Sequence, residues 1–303
     1  MKKLLTAVGV ATLIAAASAA WTLAAPAGTG GTKLENSAHA LPPLPDTVKS
    51  RGRWVIGVKC DFPPFGYITA SGKNAGYDVE VAKAFARLAF GHGNRVSFVC
   101  VTTPSRIPTL MSKRVDIIIS TLTFTKARAQ VIDFSVPYYG ATGRLLIPNN
   151  SSIKKLSDMS GKTISTTRGS IYDRWLHNCY KNTNVILTDT TSSALLAVQD
   201  KRAAGFMFDD AFLVGVAAND PNTKLLGSRF LDIPWGIGIR KGETDMRAWV
   251  NSRVKLMKKR DQFWLIMQHT IPRRFYATFK DNVPRPTNTL KYPTGADPET
   301  ICP

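Results

Sequence analysis

The 303-residue sequence is poor in the residues that metal and redox sites require. It contains four histidines and four cysteines, and no two cysteines have the Cys-x-x-Cys spacing of a metal or redox site. It also lacks a Gly-rich phosphate loop and any ordered set of Ser, His and Asp that would indicate nucleophilic catalysis. These absences predict that the chain is not an enzyme and holds neither a metal nor a cofactor.

No dense run of lysine or arginine occurs, although the formal net charge is +19 and the isoelectric point is about 10.0. Because the basic residues are scattered and no nucleic-acid motif is present, we do not expect a nucleic-acid partner. Two interpretations of the charge stay open: a solvated basic surface, or attraction of an anionic ligand or membrane surface.

Residues 1–25 have the layout of a cleaved secretory signal peptide. Lys2 and Lys3 precede an apolar run over 4–20, and small residues suited to cleavage follow it. An uncleaved anchor is the alternative, but the run is short for a spanning helix and no later segment is long and apolar enough. We therefore predict an exported, periplasmic and soluble protein, with a disordered lead-in over 26–48 that is rich in Gly, Pro, Thr and Ala.

Short apolar runs alternate with amphipathic segments through most of the remaining chain. Strands are predicted at 54–58, 96–101, 115–119, 162–166 and 204–208, and helices at 78–89, 106–113, 170–179, 194–198 and 246–257. Strands separated by helices of these lengths predict an α/β fold with parallel sheets.

Two β-like segments, 143–147 and 235–240, flank the second block of strands and helices. Such crossings are what a first lobe interrupted by a second lobe requires. The predicted organisation is a first lobe over 49–141 and 237–278, a second lobe over 142–236, and a C-terminal tail over 279–303. Since ligands of open α/β sheets lie beyond the carboxyl ends of the strands, the lobes should face each other across a cleft.

Four blocks of sequence carry a specific resemblance to a known family. They are 76–89 (GYDVEVAKAFARLA), 115–139 (which begins VDIIISTLTFTKAR), 156–170 and 206–210 (FMFDD). In order and spacing they resemble the periplasmic solute-binding proteins of family 3, which serve polar amino-acid ABC transporters. The resemblance implies the type II periplasmic-binding-protein fold, in which two lobes, each a mostly parallel sheet flanked by helices, are joined by a two-segment hinge. It also implies a monomer that needs no cofactor and delivers a free amino acid to a membrane permease.

A free amino acid presents a carboxylate and an ammonium group, and burying either without a partner is costly. A guanidinium and the amides of a helix start suit the carboxylate, and a buried carboxylate suits the ammonium. The resemblance assigns these roles and the accompanying hydroxyl contacts to Ser120, Thr121, Thr123, Arg128, Ser170, Ile171 and Asp209. The alternatives are a surface ion pair for Arg128 and helix N-caps for Ser170 and Asp209.

Two further cations favour an acidic ligand. Binders of aspartate and glutamate that this chain resembles carry a cation at the position of Lys59 and an arginine at that of Arg106, in the segment that begins at Thr103. Both cations would complement a second carboxylate and repel a basic amino acid. Alternatively, Lys59 extends to solvent and Arg106 pairs with a helix end.

Three more positions bear on the pocket without deciding the ligand. Phe62 would lie against the aliphatic part of the ligand, or it packs in the cleft wall. Arg168 could add a third cation. Thr191 departs from the histidine of some aspartate and glutamate binders, so aspartate, glutamate and a neutral polar ligand such as glutamine all remain open.

Four cysteines in an exported chain permit disulfide bonds, and the sequence alone leaves three pairings open. In the fold that the resemblance implies, Cys60 and Cys100 lie at the carboxyl ends of neighbouring strands. This placement pairs them and leaves Cys179 for Cys302.

Two other functions use the same fold. Some of its members are dehydratases of the cyclohexadienyl or arogenate type, acting on cyclic amino-acid precursors. None of the four histidines (His39, His92, His177 and His269) lies in a block that would form the cleft, which disfavours an enzyme. A sensor domain would be joined to a membrane helix and a kinase, and the sequence contains neither.

Overall fold

The computed structural model describes residues 41–227 and 229–303. The predicted signal peptide and the part of the predicted lead-in before residue 41 lie outside these residues. The end of the predicted lead-in is helical instead, since helix α1 spans Asp46–Arg51 and ends at Gly52 in the left-handed conformation. Val48 on this helix is fully buried, and this apolar contact holds the segment to the core.

The chain forms strands and helices in alternation. The strands are β1 Trp54–Val58, β2 Asp61–Phe62, β3 Gly66–Ile68, β4 Asn74–Ala75, β5 Val96–Cys100, β6 Ile117–Ile118, β7 Ile132–Phe134, β8 Tyr139–Pro148, β9 Thr163–Thr167, β10 Asn184–Thr188, β11 Gly205–Asp209, β12 Thr223–Leu225, β13 Phe230–Trp235 and β14 Gly238–Arg240. The further helices are α2 Tyr77–Phe90, α3 Arg106–Met111, α4 Lys126–Val131, α5 Ile171–Cys179, α6 Thr191–Gln199, α7 Asp210–Asn219, α8 Thr244–Lys259, α9 Gln262–Thr270 and α10 Tyr276–Phe279. Short 3₁₀ turns lie at Leu156–Met159, Arg273–Phe275 and Pro298–Thr300.

Two large sheets define two lobes. The first has the strand order β5-β1-β6-β14-β7, and the second has the order β10-β9-β11-β8-β12, with β13 also paired to β8. β1 runs parallel to β5 and β6, and β9 runs parallel to β10 and β11. Every antiparallel pair of these two sheets involves β8 or β14, the strands that the chain enters after crossing between the lobes. The predicted two-lobed α/β fold with a two-segment hinge is confirmed, with mixed sheets where mostly parallel ones were expected.

The chain crosses between the sheets at 135–138 and at 236–237, between β7 and β8 and between β13 and β14. The predicted first boundary, between 141 and 142, therefore falls inside β8. This strand begins earlier because Tyr139 pairs with Trp235 of β13, and their rings stack with centroids 4.5 Å apart. Gly140 interrupts the apolar run, which is why the sequence pattern indicated a later start.

The helices α2 and α8 turn their periodically spaced apolar residues into the core of the first lobe. On α2, Val81, Ala82 and Phe85 are fully buried, and the helix ends at Gly91 in the left-handed conformation that glycine tolerates best. On α8, within the helix predicted at 246–257, Met246, Val250, Val254 and Met257 form one apolar stripe and all four are buried. The two faces pack over the sheet as an amphipathic helix in an α/β layer should.

The C-terminal tail passes over the crossings between the lobes. Asn282 exchanges two hydrogen bonds with Gly140, at 2.6 and 2.7 Å. Farther along, Tyr292 donates from its hydroxyl to the carbonyl of Ser135 at 2.6 Å and stacks on Phe124 with ring centroids 4.3 Å apart. The tail therefore packs directly on the first crossing.

The end of the tail is attached to α5 of the second lobe. Glu299 forms a 3.1 Å ion pair with Arg174, and the indole of Trp175 donates to the carbonyl of Ile301 at 2.7 Å. A disulfide bond joins Cys302 to Cys179, and a second one joins Cys60 to Cys100. Both predicted pairings are confirmed.

Candidate functional site

The predicted site residues gather where strands of the two lobes end. Lys59 follows β1, the segment 120–123 follows β6, and Asp209 is the last residue of β11. All the predicted ligand-binding residues are buried except Arg128, which is partly buried. The structure thus brings together residues that lie far apart in the sequence.

The lobes touch each other at this site. Hydrogen bonds that join them here include those of Arg128 to the carbonyl of Gly169 at 2.9 Å, Thr167 Oγ1 to Thr103 Oγ1 at 3.4 Å, and the Thr191 amide to Asp61 Oδ2 at 2.7 Å. The cleft between the lobes is therefore closed in this structure.

Arg128 spans the two lobes from the first turn of α4. One guanidinium nitrogen donates to the carbonyl of Thr123 at 2.7 Å, and another donates to Gly169 of the second lobe. Burial lowers the pKa of Arg128 to about 10, while the negative charge of Glu299 in the tail opposes that shift. The alternative of a surface ion pair does not hold, because within the described part of the chain Arg128 forms no ion pair and bonds only to carbonyl groups.

Arg106 is buried at the start of α3. Its Nη1 donates to the carbonyls of Ser120 and Thr121 at 2.8 and 3.0 Å, so it does not bind a helix end. Burial and the nearby positive charge of Arg128 lower the pKa of Arg106 to about 9. Among residues 41–227 and 229–303 no carboxylate pairs with it, which leaves a desolvated positive charge facing the cleft.

Lys59 points inward and is fully buried, so it does not extend to solvent. Its Nζ donates to Thr103 Oγ1 at 3.1 Å and lies 3.3 Å from Asp61 Oδ1. Burial lowers the pKa of Lys59, whereas the negative charge of Asp61 raises it. Asp61 was not predicted as a site residue, although a carboxylate two residues after a predicted pocket lysine was a signal in the sequence.

Asp209 supplies a buried carboxylate from the second lobe. It occupies the N-cap position of α7 without accepting a capping hydrogen bond, and its Oδ1 instead accepts a 2.7 Å bond from the hydroxyl of Tyr172. Burial raises the pKa of Asp209 to about 7, against the hydrogen bond from Tyr172 and the positive charges of Arg106 and Lys59. Tyr172 was not among the predicted site residues, so this contact was missed.

The hydroxyl groups of the site divide into used and unused ones. Ser170 caps α5, because its Oγ accepts from the amide of Asp173 at 3.2 Å; the N-cap alternative is therefore correct for its side chain. In the described residues, Ser120 Oγ and Thr191 Oγ1 are buried without a hydrogen-bond partner. Since buried hydroxyls are normally paired, these two are free to bind a ligand or water.

The loop at 120–123 is held by a buried carboxylate that sequence analysis did not single out. Asp78 accepts from the amide of Thr121 and from the hydroxyl of Tyr138, each at 3.1 Å. Thr121 has a φ of 48°, a left-handed conformation that a β-branched residue rarely adopts. The bond to Asp78 stabilises this conformation, and burial raises the pKa of Asp78 to about 7.

Phe62 forms part of the apolar wall between the lobes. It is fully buried, and its ring centroid lies 5.7 Å from Phe208 and 5.2 Å from Phe212, both of the second lobe. Of the two expected roles, the structure shows packing in the cleft wall.

Arg168 does not add a third cation to the pocket. Its side chain is 56% exposed and pairs with Asp189 at 3.1 Å. The preceding residue, Thr167, ends β9 with its side chain toward the cleft, so the alternation of the strand turns Arg168 outward.

Buried groups of opposite charge from the two lobes, together with buried hydroxyls that have no partner in the described residues, are the chemistry of a site that binds a small polar molecule. The profile of the family described as bacterial extracellular solute-binding proteins, family 3, matches residues 54–269. The chain belongs to this family. It is therefore a solute receptor and not an enzyme, as the sequence predicted.

Named relatives of this family-3 receptor bind several amino acids. It is 29% identical over 238 residues to the ABC transporter glutamine-binding protein of Bacillus subtilis, covering 78% of this chain and 87% of the relative. It is 29% identical over 220 residues to the L-glutamate/L-aspartate-binding protein of Pseudomonas aeruginosa, covering 68% and 72%. The solute receptor for L-cysteine of Neisseria gonorrhoeae is 28% identical, with a TM-score of 0.72 and coverage of 77% and 95%.

The described part of this family-3 receptor contains no helix that could span a membrane. None of the helices in residues 41–227 and 229–303 combines the length and the apolar character needed to cross a bilayer.

Proposed function

We propose that this receptor binds a free acidic amino acid, aspartate or glutamate, between its lobes. In this proposal Arg128 binds the α-carboxylate, Asp209 binds the ammonium group, and Arg106 and Lys59 bind the side-chain carboxylate. Each ligand charge then meets a group of opposite sign in a desolvated cleft.

One observation carries the proposal: in the described chain the buried guanidinium of Arg106 and the partly buried one of Arg128 have carbonyl partners but no carboxylate partner. The carboxylate of Asp209 is close enough that its charge raises the pKa of Arg106. Asp78 also raises the pKa of Arg106, but its carboxylate is already bonded to the amide of Thr121 and the hydroxyl of Tyr138. The two guanidinium groups and Asp209 then match a ligand that has two carboxylates and one ammonium. Burial of unpaired charge is costly, so a dicarboxylate relieves a cost that a basic ligand would increase.

Glutamine is the second candidate, because Asp61 already neutralises Lys59 in the closed cleft. With that pair formed, the distal end of the pocket retains only the charge of Arg106. A guanidinium can bind an amide carbonyl as well as a carboxylate, although the charge-assisted bond is the stronger one. The glutamine-binding relative makes this alternative concrete.

The experiment is calorimetry on the purified protein with aspartate, glutamate, glutamine, asparagine, lysine and arginine. Arg128→Ala should abolish binding of every amino acid, because it removes the common anchor. Arg106→Ala should weaken aspartate and glutamate by ~2–5 kcal/mol and leave any binding of glutamine little changed. A wild type that prefers a neutral or basic ligand, or an Arg106→Ala variant that weakens all ligands equally, would contradict the acidic assignment.

We further propose that the chain is exported through its N-terminal leader and works in the periplasm as a monomer. After capture, the closed receptor presents its ligand to a membrane permease of the ABC type. Edman sequencing of the mature protein and its elution from a size-exclusion column test these statements.

A further inference from the structure

The side chain of Asp61 connects the buried Lys59 of the first lobe with the start of α6 in the second lobe. Its Oδ1 lies 3.3 Å from the fully buried ammonium of Lys59. Its Oδ2 accepts a 2.7 Å hydrogen bond from the amide of Thr191, the first residue of α6 in the second lobe. One carboxylate thus balances a pocket cation and bonds across the closed cleft.

We propose that Asp61 is a positioning and specificity residue, which sets the ligand preference through Lys59 and holds the closed form through the amide of Thr191. This inference rests on the proposed function, since it concerns the same site. It assigns a role to a residue outside the groups that touch the ligand in that proposal.

The specificity part of the inference follows from charge. Lys59 is fully buried, and its other partner, Thr103 Oγ1 at 3.1 Å, carries no charge. Asp61 is therefore what allows Lys59 to stay charged beside a ligand whose distal end is neutral. When the ligand carries a distal carboxylate, that carboxylate shares the ammonium with Asp61, and the two anions compete.

The closing part follows from the backbone of α6. The first amides of a helix have no partner within the helix, and a carboxylate placed there is favoured by the helix dipole as well. The partner of the Thr191 amide comes from the other lobe, 130 residues away in the sequence. The bond can form only when the lobes are closed. It therefore stabilises the closed form and not the open form.

Two substitutions test the specificity role and the closing role of Asp61 separately. Asp61→Asn removes the charge but keeps an oxygen that can accept from Thr191. Thr191→Pro removes the amide hydrogen and the Oγ1 hydroxyl but keeps the charge of Asp61, and it is compared with Thr191→Val, which removes the hydroxyl alone. Proline is well tolerated at the first position of a helix, and the preceding Thr190 has the extended conformation (φ −120°, ψ 151°) that proline requires there.

The readout is the ratio of the dissociation constants for glutamine and glutamate, measured by calorimetry. Asp61→Asn should shift this ratio toward glutamate by about tenfold, because Lys59 then lacks its internal counter-charge. Thr191→Pro should weaken both ligands by the same factor, about tenfold, with the ratio unchanged. In a Lys59→Gln background the effect of Asp61→Asn on the ratio should disappear, since Asp61 acts on specificity through Lys59.

The matched control is Asp200→Asn, which removes an exposed carboxylate just after the same helix that pairs, in the described chain, with the exposed Arg202. Both dissociation constants should stay at their wild-type values. A ratio that Asp61→Asn leaves unchanged, or shifts equally in the Lys59→Gln background, overturns the specificity role. Wild-type affinity in Thr191→Pro, with unfolding at the wild-type temperature, overturns the closing role. A wild type that binds none of the amino acids instead overturns the proposed function itself.

Discussion

Asp209 makes the empty cleft sensitive to pH. In the closed form burial raises its pKa from the ordinary value of 3.8 to about 7. Asp209 lies on the second lobe and faces Tyr172 and Asp210 of its own lobe and Arg106 and Lys59 of the first lobe. In an open form water reaches the carboxylate, and its pKa should return toward the ordinary value.

The sign of the effect follows from proton uptake. Between the two pKa values the closed empty form holds a proton on Asp209 that the open form lacks, so closing takes up a proton and acid favours it. With pKa values of 3.8 and about 7, going from about pH 8 to about pH 5.5 favours the closed empty form by about 2 kcal/mol, or roughly 30-fold.

Small-angle X-ray scattering on the ligand-free protein measures this shift as a smaller radius of gyration at the lower pH. Asp209→Asn is the control, because a neutral amide mimics the protonated acid: the variant should be compact at both pH values. A saturating amino acid should make the wild type compact at both, since its ammonium replaces the proton. The reasoning is wrong if the wild type keeps one radius at both pH values, or if Asp209→Asn responds as the wild type does.

Three further outcomes follow from individual contacts. Cys302→Ala should lower the free energy of unfolding by ~2–5 kcal/mol in urea titrations; an unchanged midpoint would show that the tail adds no stability. Asp78→Asn should flatten the pH dependence of the melting temperature: a carboxyl whose pKa is raised from 3.8 to about 7 contributes stability at low pH that is lost as the pH rises through this window. An equal slope in both proteins would contradict that. Phe62→Ala should raise the dissociation constant of every amino acid by at least ~10-fold in calorimetry, because closure then buries no ring against Phe208 and Phe212; selective weakening of one ligand would argue for direct contact instead.

The features that the sequence predicted well depend on local pattern. The apolar faces of the predicted helices α2 and α8 lie in the core, because an apolar residue every three or four positions can face only one neighbouring layer. The strand at 115–119 was predicted too long, since only Ile117 and Ile118 pair in the sheet. Beside them the carboxylate of Asp116 accepts from the amide of Val55 at 2.7 Å, so a side chain takes the place of a strand carbonyl.

The features that the sequence did not predict depend on how distant segments approach each other. Helix α7 was missed because apolar residues surround it almost evenly and no single face stands out. The contact of Tyr172 with Asp209 exists only after the second lobe is folded, and that of Asp61 with Thr191 only after the lobes are closed as well. The sequence shows the identity and charge of these residues, but it does not show which residue each of them contacts.

The C-terminal tail is anchored to both lobes at one side of the cleft. Asp297 Oδ1 accepts from the amide of Lys126 at the start of α4, at 2.7 Å, and α4 carries Arg128. Five residues later the disulfide bond ties Cys302 to Cys179 at the end of α5. A chain segment of this length can extend to at most about 17 Å.

These anchors make the opening of the cleft asymmetric. As long as Asp297 stays bound, α4 and α5 can separate only as far as the segment between the anchors extends, whereas the side held by Asp61 and Thr191 has no such covalent limit. Paired spin labels should therefore report a smaller opening between α4 and α5 than between the start of α6 and β2 when ligand is removed. Cys302→Ala should reduce the difference, because only the noncovalent contacts of Glu299 and Ile301 then hold the tail to α5. Equal opening at both sides of the wild type would show that the contacts of the tail break during opening. Closure would then be governed by the crossings at 135–138 and 236–237 alone.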